Sequence, residues 1–208
     1  MNTRSGTADT RHGRGIEAEA SPTRHRFSVQ DYYAMARAGI LTEDDRVELL
    51  DGEVVVMAPI GSHHAVCVDR VTRLFFRRFD GRAAVRVQNP VRLSGDSEPQ
   101  PDVALLELPL ERYAAAHPSP PDVLLVVEVA DTSLERDRAL KLPLYARAGI
   151  SDIWIVNLEE GEIEIYRTPS SAGYAEVQRL REGTVTPLAF PGEAIGVEEI
   201  LGPPRRES

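Results

Sequence analysis

The sequence predicts an α/β fold: a mixed β-sheet flanked by helices, entered through an N-terminal helix and β-hairpin and extended by extra C-terminal strands. Three observations carry this expectation. Residues 123–130, VLLVVEVA, form the longest apolar run and have the unbroken character of a central buried strand. Two segments, 63–79 and 134–147, repeat apolar residues at helical spacing. The second lies between the strands 123–129 and 152–156, the order of a parallel crossover.

The elements follow in order. Residues 1–26 lack apolar periodicity and are rich in Arg, Ser, Thr and Gly, which predicts a disordered tail. A folded domain is expected over 27–201, and a polar C-terminal tail over 202–208. FSVQDYYAMARAG reads as a helix with Ser28 as N-cap, Asp31 completing a capping box, and Gly39 closing it. VELLDGEVVVM is two apolar runs joined by Asp51-Gly52, a strong hairpin signal. In 63–79 the apolar positions share one face and Arg70, Arg73, Arg77 and Arg78 the other. Residues 84–93 alternate as a strand would, and DVALLEL follows as another. Helix 134–147 contains Pro143, which predicts a kink. DIWIVN, GEIEIYR, YAEVQRL and TVTPL supply the later strands, with Glu160-Gly161 turning the first pair.

The chain has 208 residues and a net charge of −9, which argues against loose electrostatic binding to nucleic acid. The first 26 residues hold five Arg against three acids, so the rest stands at −11 and must confine positive charge to a local patch. No apolar run approaches a membrane span, and no secretory signal is evident. A lone cysteine, Cys67, suits a reducing compartment, so a cytoplasmic location is expected. Beside His63 and His64 it could suggest a nucleophile, but a buried helical cysteine is ordinarily inert core.

Of the 24 basic residues, 23 are Arg and one is Lys141. Arg stays protonated and delocalised, so it cannot replace a compact ammonium. A site that needs an ammonium would be the last to give up its lysine. Two carboxylates also occupy costly positions: Asp102 opens a strand after Pro99-Gln100-Pro101, and Glu128 sits in the most apolar strand. On neighbouring strands they would converge at one end of the sheet, where open α/β sheets place their sites. Both carboxylates and the Val129 carbonyl suit a hard cation, Mg²⁺ or Mn²⁺, and Lys141 on the next helix could swing back over it. Such a set suits phosphodiester hydrolysis, with Asp102, Glu128 and Lys141 catalytic.

At these residues the chain resembles the Uma-two (Uma2) family of restriction-endonuclease-like proteins, in the PD-(D/E)XK nuclease superfamily. The resemblance rests on RVELLDGEVVVM, PQPDVALL, PPDVLLVVEV and DRALKLPLYARAGISDIWIVN, and spans about residues 27–201. It implies a restriction-endonuclease-like fold, with Pro101-Asp102 as the "PD" element and Glu128 as the acid. The commonest pattern puts a lysine two residues later, where this chain has Ala130; the family resemblance maps it onto Lys141 instead.

Further candidates carry two readings each. Glu48 matches an acid typical of the family, or is a hairpin acid facing solvent. Gln100 could hydrogen-bond an attacking water, or be an ordinary loop residue. His64, and less so His63, could touch a substrate phosphate, or merely begin a helix. Asp137 could orient Lys141, or form an exposed i,i+4 pair. Arg70, Arg73 and Arg77 could bind phosphates, or be a solvated face. DNA is the expected partner. A homodimer is expected from exposed hairpins at both ends of the sheet. The competing expectation is a catalytically inactive nucleic-acid or protein-binding module on the same fold.

Overall fold

The computed structural model describes residues 24–42 and 44–203. Most of the expected N-terminal tail, and residues 204–208 of the C-terminal one, lie outside the described residues. Residues 24–26 run along the first hairpin: Arg24 pairs with Glu53 and Arg26 with Asp51, while the Phe27 amide donates to the Gly52 carbonyl at 2.8 Å.

The first helix, α1 (Val29–Arg37), starts on the predicted capping box, in which Ser28 and Asp31 satisfy each other's backbone amides. Strands β1 (Val47–Leu50) and β2 (Glu53–Val56) form the predicted hairpin. Its turn residues, Asp51 and Gly52, both have positive φ (50° and 76°), which is what a two-residue turn between right-twisted strands requires. The hairpin stands apart from the main sheet; an isolated bridge from Leu49 to Glu98 joins it to the 88–102 segment. Helix α2 (Ser62–Phe79) buries Cys67, Val68, Val71, Leu74, Phe75 and Phe79.

Six strands make the main sheet, in the order β3 (Ala84–Val87), β4 (Val103–Leu106), β5 (Val123–Ala130), β6 (Asp152–Asn157), β7 (Glu162–Ser170) and β8 (Gly173–Leu180). Only β5 and β6 are parallel; the other neighbours are antiparallel, so the sheet is mixed, with β5 and β6 at its centre. The crossover between β5 and β6 runs through α3 (Leu134–Arg136), a π-helical turn (Asp137–Lys141) and α4 (Leu142–Ala148). Beyond the sheet, β9 (Thr184–Val185) pairs with β10 (Ile195–Gly196), followed by α5 (Val197–Leu201).

Alternate residues of the central strands face two cores. Val127, Val129, Trp154 and Val156 pack with the apolar face of α2, and Phe75 meets Trp154 edge to face. Val126, Ala130, Ile153 and Ile155 pack instead with Leu142 and Tyr145 of α4. Each central strand is therefore buried on both sides, which accounts for its continuous apolar sequence.

Three expectations need correction. The strand expected over 84–93 ends at Val87, because Gln88 turns to positive φ (50°) and Asn89-Pro90 follows. Pro90 has no amide to give a ladder, and Gln88 has already left extended geometry. The helix expected over 134–147 is interrupted by the π-turn. Pro143 lacks an amide for the carbonyl of Ala139 and would crowd it, and the widened turn immediately upstream absorbs that conflict. Finally, the β1–β2 hairpin is not at a sheet end; the edges are β3 and β8.

Candidate functional site

A cavity of about 210 Å³ opens between the hairpin, α2, the end of β5 and the π-turn. Glu48, His64, Gln100, Asp102, Glu128, Val129, Asp137 and Lys141 all line it. Residues from 48 to 141 thus meet at one place.

Lys141 lies at its floor, 5% exposed. Its Nζ sits 3.3 Å from Glu128 Oε1 on one side and 3.3 Å from Glu48 Oε2 on the other. Burial by itself disfavours the ammonium, but Glu128, Glu48, Asp137 and Asp102 outweigh it and raise the lysine's pKa, so Lys141 stays charged. Burial acts the other way on Glu128, pushing its carboxyl up to about 8 against the pull of Lys141. The Tyr145 hydroxyl donates to Glu128 Oε1 at 2.6 Å. Glu48 accepts the backbone amide of Gln100 at 3.1 Å, and the Gln100 side chain donates to the Val47 carbonyl, so the hairpin is stitched to the strand entry at this point.

Asp102 faces the same cavity and is held by three donors. The Val129 amide and His64 Nε2 meet its Oδ2 at 2.9 and 3.1 Å, and the Gln88 side chain meets Oδ1 at 3.3 Å. Burial would raise its pKa, but the hydrogen bond and charge of His64, the Val129 amide and Lys141 together hold it below the ordinary value. His64 is correspondingly raised by its bond to Asp102, against its own partial burial. Its other ring nitrogen, Nδ1, is buried without a partner among the described residues. The Asp137 carboxylate takes a 2.6 Å hydrogen bond from Ser133, so its expected link to Lys141 is one of charge across the cavity floor. Burial raises its pKa too.

Sequence reasoning missed several participants. Nothing in the predicted helix 134–147 singles out Tyr145, and Gln88 falls inside the predicted strand 84–93. Arg46 and Arg136 also line the cavity, bracing the carbonyl of Ala58, in the loop that leads into α2, and that of Val56, at the end of β2. Arg136 adjoins Asp137 in sequence, a signal that could have included it. Arg73 and Arg77 are not brought to this cavity. They line a separate depression on the outer side of α2 with Arg70, Val66 and Phe76, and Arg70 itself caps the carbonyls of Ile200 and Leu201. His63 instead approaches Asp131, Nδ1 to Oδ1 at 3.6 Å. Cys67 is core, its thiol pushed up to about 11 by burial.

The donor chemistry bears on a metal ion. Glu48, Glu128 and Asp137 are all buried, and Asp102 nearly so, against a single buried ammonium. Keeping that many carboxylates ionised in the interior is costly, as the raised pKa values of Glu128 and Asp137 reflect, unless a further cation relieves it. Among the described residues no ready-made cluster of three or more His, Cys, Asp or Glu ligands exists. Mg²⁺ needs none, because it is commonly held by one or two carboxylates and keeps its remaining waters. The residues present fit that ion.

Comparison with known proteins agrees with the fold. A putative nuclease of the DUF820 family from Anabaena variabilis superposes with a TM-score of 0.63 at 11% identity, covering 84% of this chain and 97% of that one; the likeness is one of fold. No curated protein matches the sequence. Among the described residues, no helix is long and apolar enough to cross a membrane. The family Uma2, described as "Putative restriction endonuclease", matches residues 29–198, and the chain belongs to that family.

Proposed function

We propose that this chain is a metal-dependent endonuclease that hydrolyses DNA phosphodiester bonds. The observation that supports it best is the buried Glu48–Lys141–Glu128 array with Asp102 on the same cavity, where carboxylates outnumber cations. Family membership supports the nuclease class. Asp102 and Glu128, with the carbonyl of Val129, would hold Mg²⁺ or Mn²⁺. When bound, the ion supplies Lewis-acid activation of water and neutralisation of phosphate charge.

The chain's own residues have distinct tasks in this reading. Lys141 presents a fixed positive charge to the phosphate group as negative charge develops on it. Glu48 holds the ammonium from the side opposite Glu128, and Gln100 holds Glu48. Tyr145 fixes the Glu128 carboxylate; His64 and the Val129 amide fix Asp102. Such preorganisation matters because the charges need no rearrangement during reaction. His64 Nδ1 is buried and without a partner among the described residues, so contact with a substrate phosphate would require the ring to turn. Arg46 and Arg136 would add local positive charge at the cavity, whereas Arg73 and Arg77 could reach nucleic acid only along α2.

Purified protein with Mg²⁺ or Mn²⁺ is expected to nick or cut DNA in a panel that includes RNA and small phosphodiesters. Asp102→Ala, Glu128→Ala and Lys141→Ala should each abolish cleavage; cutting that survives all three refutes the assignment. A second reading, a catalytically inactive nucleic-acid or protein-binding module, is favoured by the net charge of −9. Calorimetric titration separates the two, since absence of Mg²⁺ and Mn²⁺ binding at millimolar concentration supports the module. Sedimentation would test the expected homodimer.

A further inference from the structure

The π-turn that carries Lys141 is fastened to the sheet at a second point. Arg138 forms a two-pronged ion pair with Glu164 of β7: its Nε lies 3.1 Å from Oε2, and Nη2 closes on Oε1. Glu164 is fully buried, and it also accepts the Tyr166 hydroxyl at 2.5 Å and the Asn157 amide at 3.4 Å. Its carboxyl lies outside the cavity and has no part in the proposed chemistry.

The sheet register relates this pair to the site. Glu128 is paired with Ile155, and Ile155 with Glu164. Residues paired across adjacent strands share a face, so Glu128 and Glu164 stand in one row, two strand spacings or about 10 Å apart. Above that row run residues 137–141. Lys141 reaches down to Glu128 and Arg138 to Glu164, from opposite ends of the same π-turn. A π-turn is an irregular stretch with weaker intrinsic preference than an α-helix. A guanidinium fork has the geometry to fix its rotation and height, because two parallel bonds define a direction that one ammonium contact does not.

We propose that Arg138 and Glu164 are positioning residues for Lys141, holding the π-turn in the register that inserts the ammonium between Glu48 and Glu128. The geometric part stands by itself; its bearing on catalysis rests on the function proposed above.

Because Lys141 is the sole lysine, amine chemistry reports on it directly. Full-length wild type, Arg138→Gln and Glu164→Gln would be treated with an amine-acylating reagent and mapped by mass spectrometry, which separates Lys141 from the N-terminal amine. Tyr166 and Asn157 still hydrogen-bond Glu164 after Arg138→Gln, and Glu164→Gln leaves no buried charge, so one of the pair should retain a cooperative melt. Acylation of Lys141 is expected to accelerate roughly tenfold or more in both variants, with kcat for DNA cleavage falling by a similar factor at unchanged KM, the scale seen when groups orienting a site are removed. Arg138→Lys, which keeps charge but loses the fork, should recover only part of the rate. Unchanged Lys141 acylation in a folded variant overturns the inference. If acylation accelerates while wild type cleaves no substrate, positioning stands and the nuclease reading fails.

Discussion

Replacing Lys141 by Met removes the only buried cation from a cluster of buried acids, at nearly constant side-chain length. Each of its two contacts, 3.3 Å to Glu48 and 3.3 Å to Glu128, is worth about 5 kcal/mol in Coulomb terms at an effective dielectric of about 20. Desolvation of the ammonium offsets much of that sum. What remains after one partner of a buried ion pair is deleted is a loss of about 3–5 kcal/mol. Urea denaturation near pH 8 would measure it. The sign of the pH dependence is also fixed. Without the ammonium, buried Glu128 holds its proton above its present value of about 8, whereas the unfolded chain releases it near 4.5. In both proteins the folded state binds more protons than the unfolded state between about 4.5 and 8, so both lose stability in parallel as pH rises through that window. The deficit grows only above about 8, where wild type releases the Glu128 proton and the variant retains it. A loss below about 1 kcal/mol near pH 8 would refute the buried-pair reasoning, because so small a value belongs to solvated pairs. A deficit that failed to grow above about pH 8 would refute it equally.

Tyr145→Phe removes the fully buried phenol's 2.6 Å bond to Glu128 and should cost about 1–3 kcal/mol in chemical denaturation. For His64, raised above 6.5 by Asp102, the stabilising contribution is complete below that value and fades as pH climbs through the folded-state pKa. Wild type should therefore exceed His64→Gln in stability by more at about pH 5.5 than at about pH 8.5; the reverse order would exclude the charged pair. Gly52→Ala places a Cβ 2.6 Å from Arg26 Cβ at φ 76° and should lower stability by about 1 kcal/mol or more, read from the thermal midpoint. Asp102→Asn keeps the shape of the cavity, so cleavage should vanish while the fold persists by circular dichroism; retained cleavage would remove Asp102 from the site.

Local chemistry made much of this protein legible in its sequence. The Ser28–Asp31 capping box, the Asp51-Gly52 turn and the helical spacing of 63–79 depend on residues a few positions apart, and they form as expected. An acid inside VLLVVEVA and a lone lysine amid arginines also identified themselves, because each costs free energy or departs from the chain's own bias. Tertiary structure alone decided how those pieces meet. The hairpin leaves the main sheet and brings Glu48 within 3.3 Å of a lysine 93 positions away, a contact no periodicity encodes. Asn89-Pro90 cut short a strand that alternation had extended, and Pro143 turned an expected kink into a π-turn with Arg138 and Lys141 fixed to one row of the sheet. Arg73 and Arg77 share a face with each other but not with the cavity. Sequence pattern fixes which side of an element is apolar; where that side lands depends on strand pairing across the whole chain, and it is pairing that sets the distances between charges.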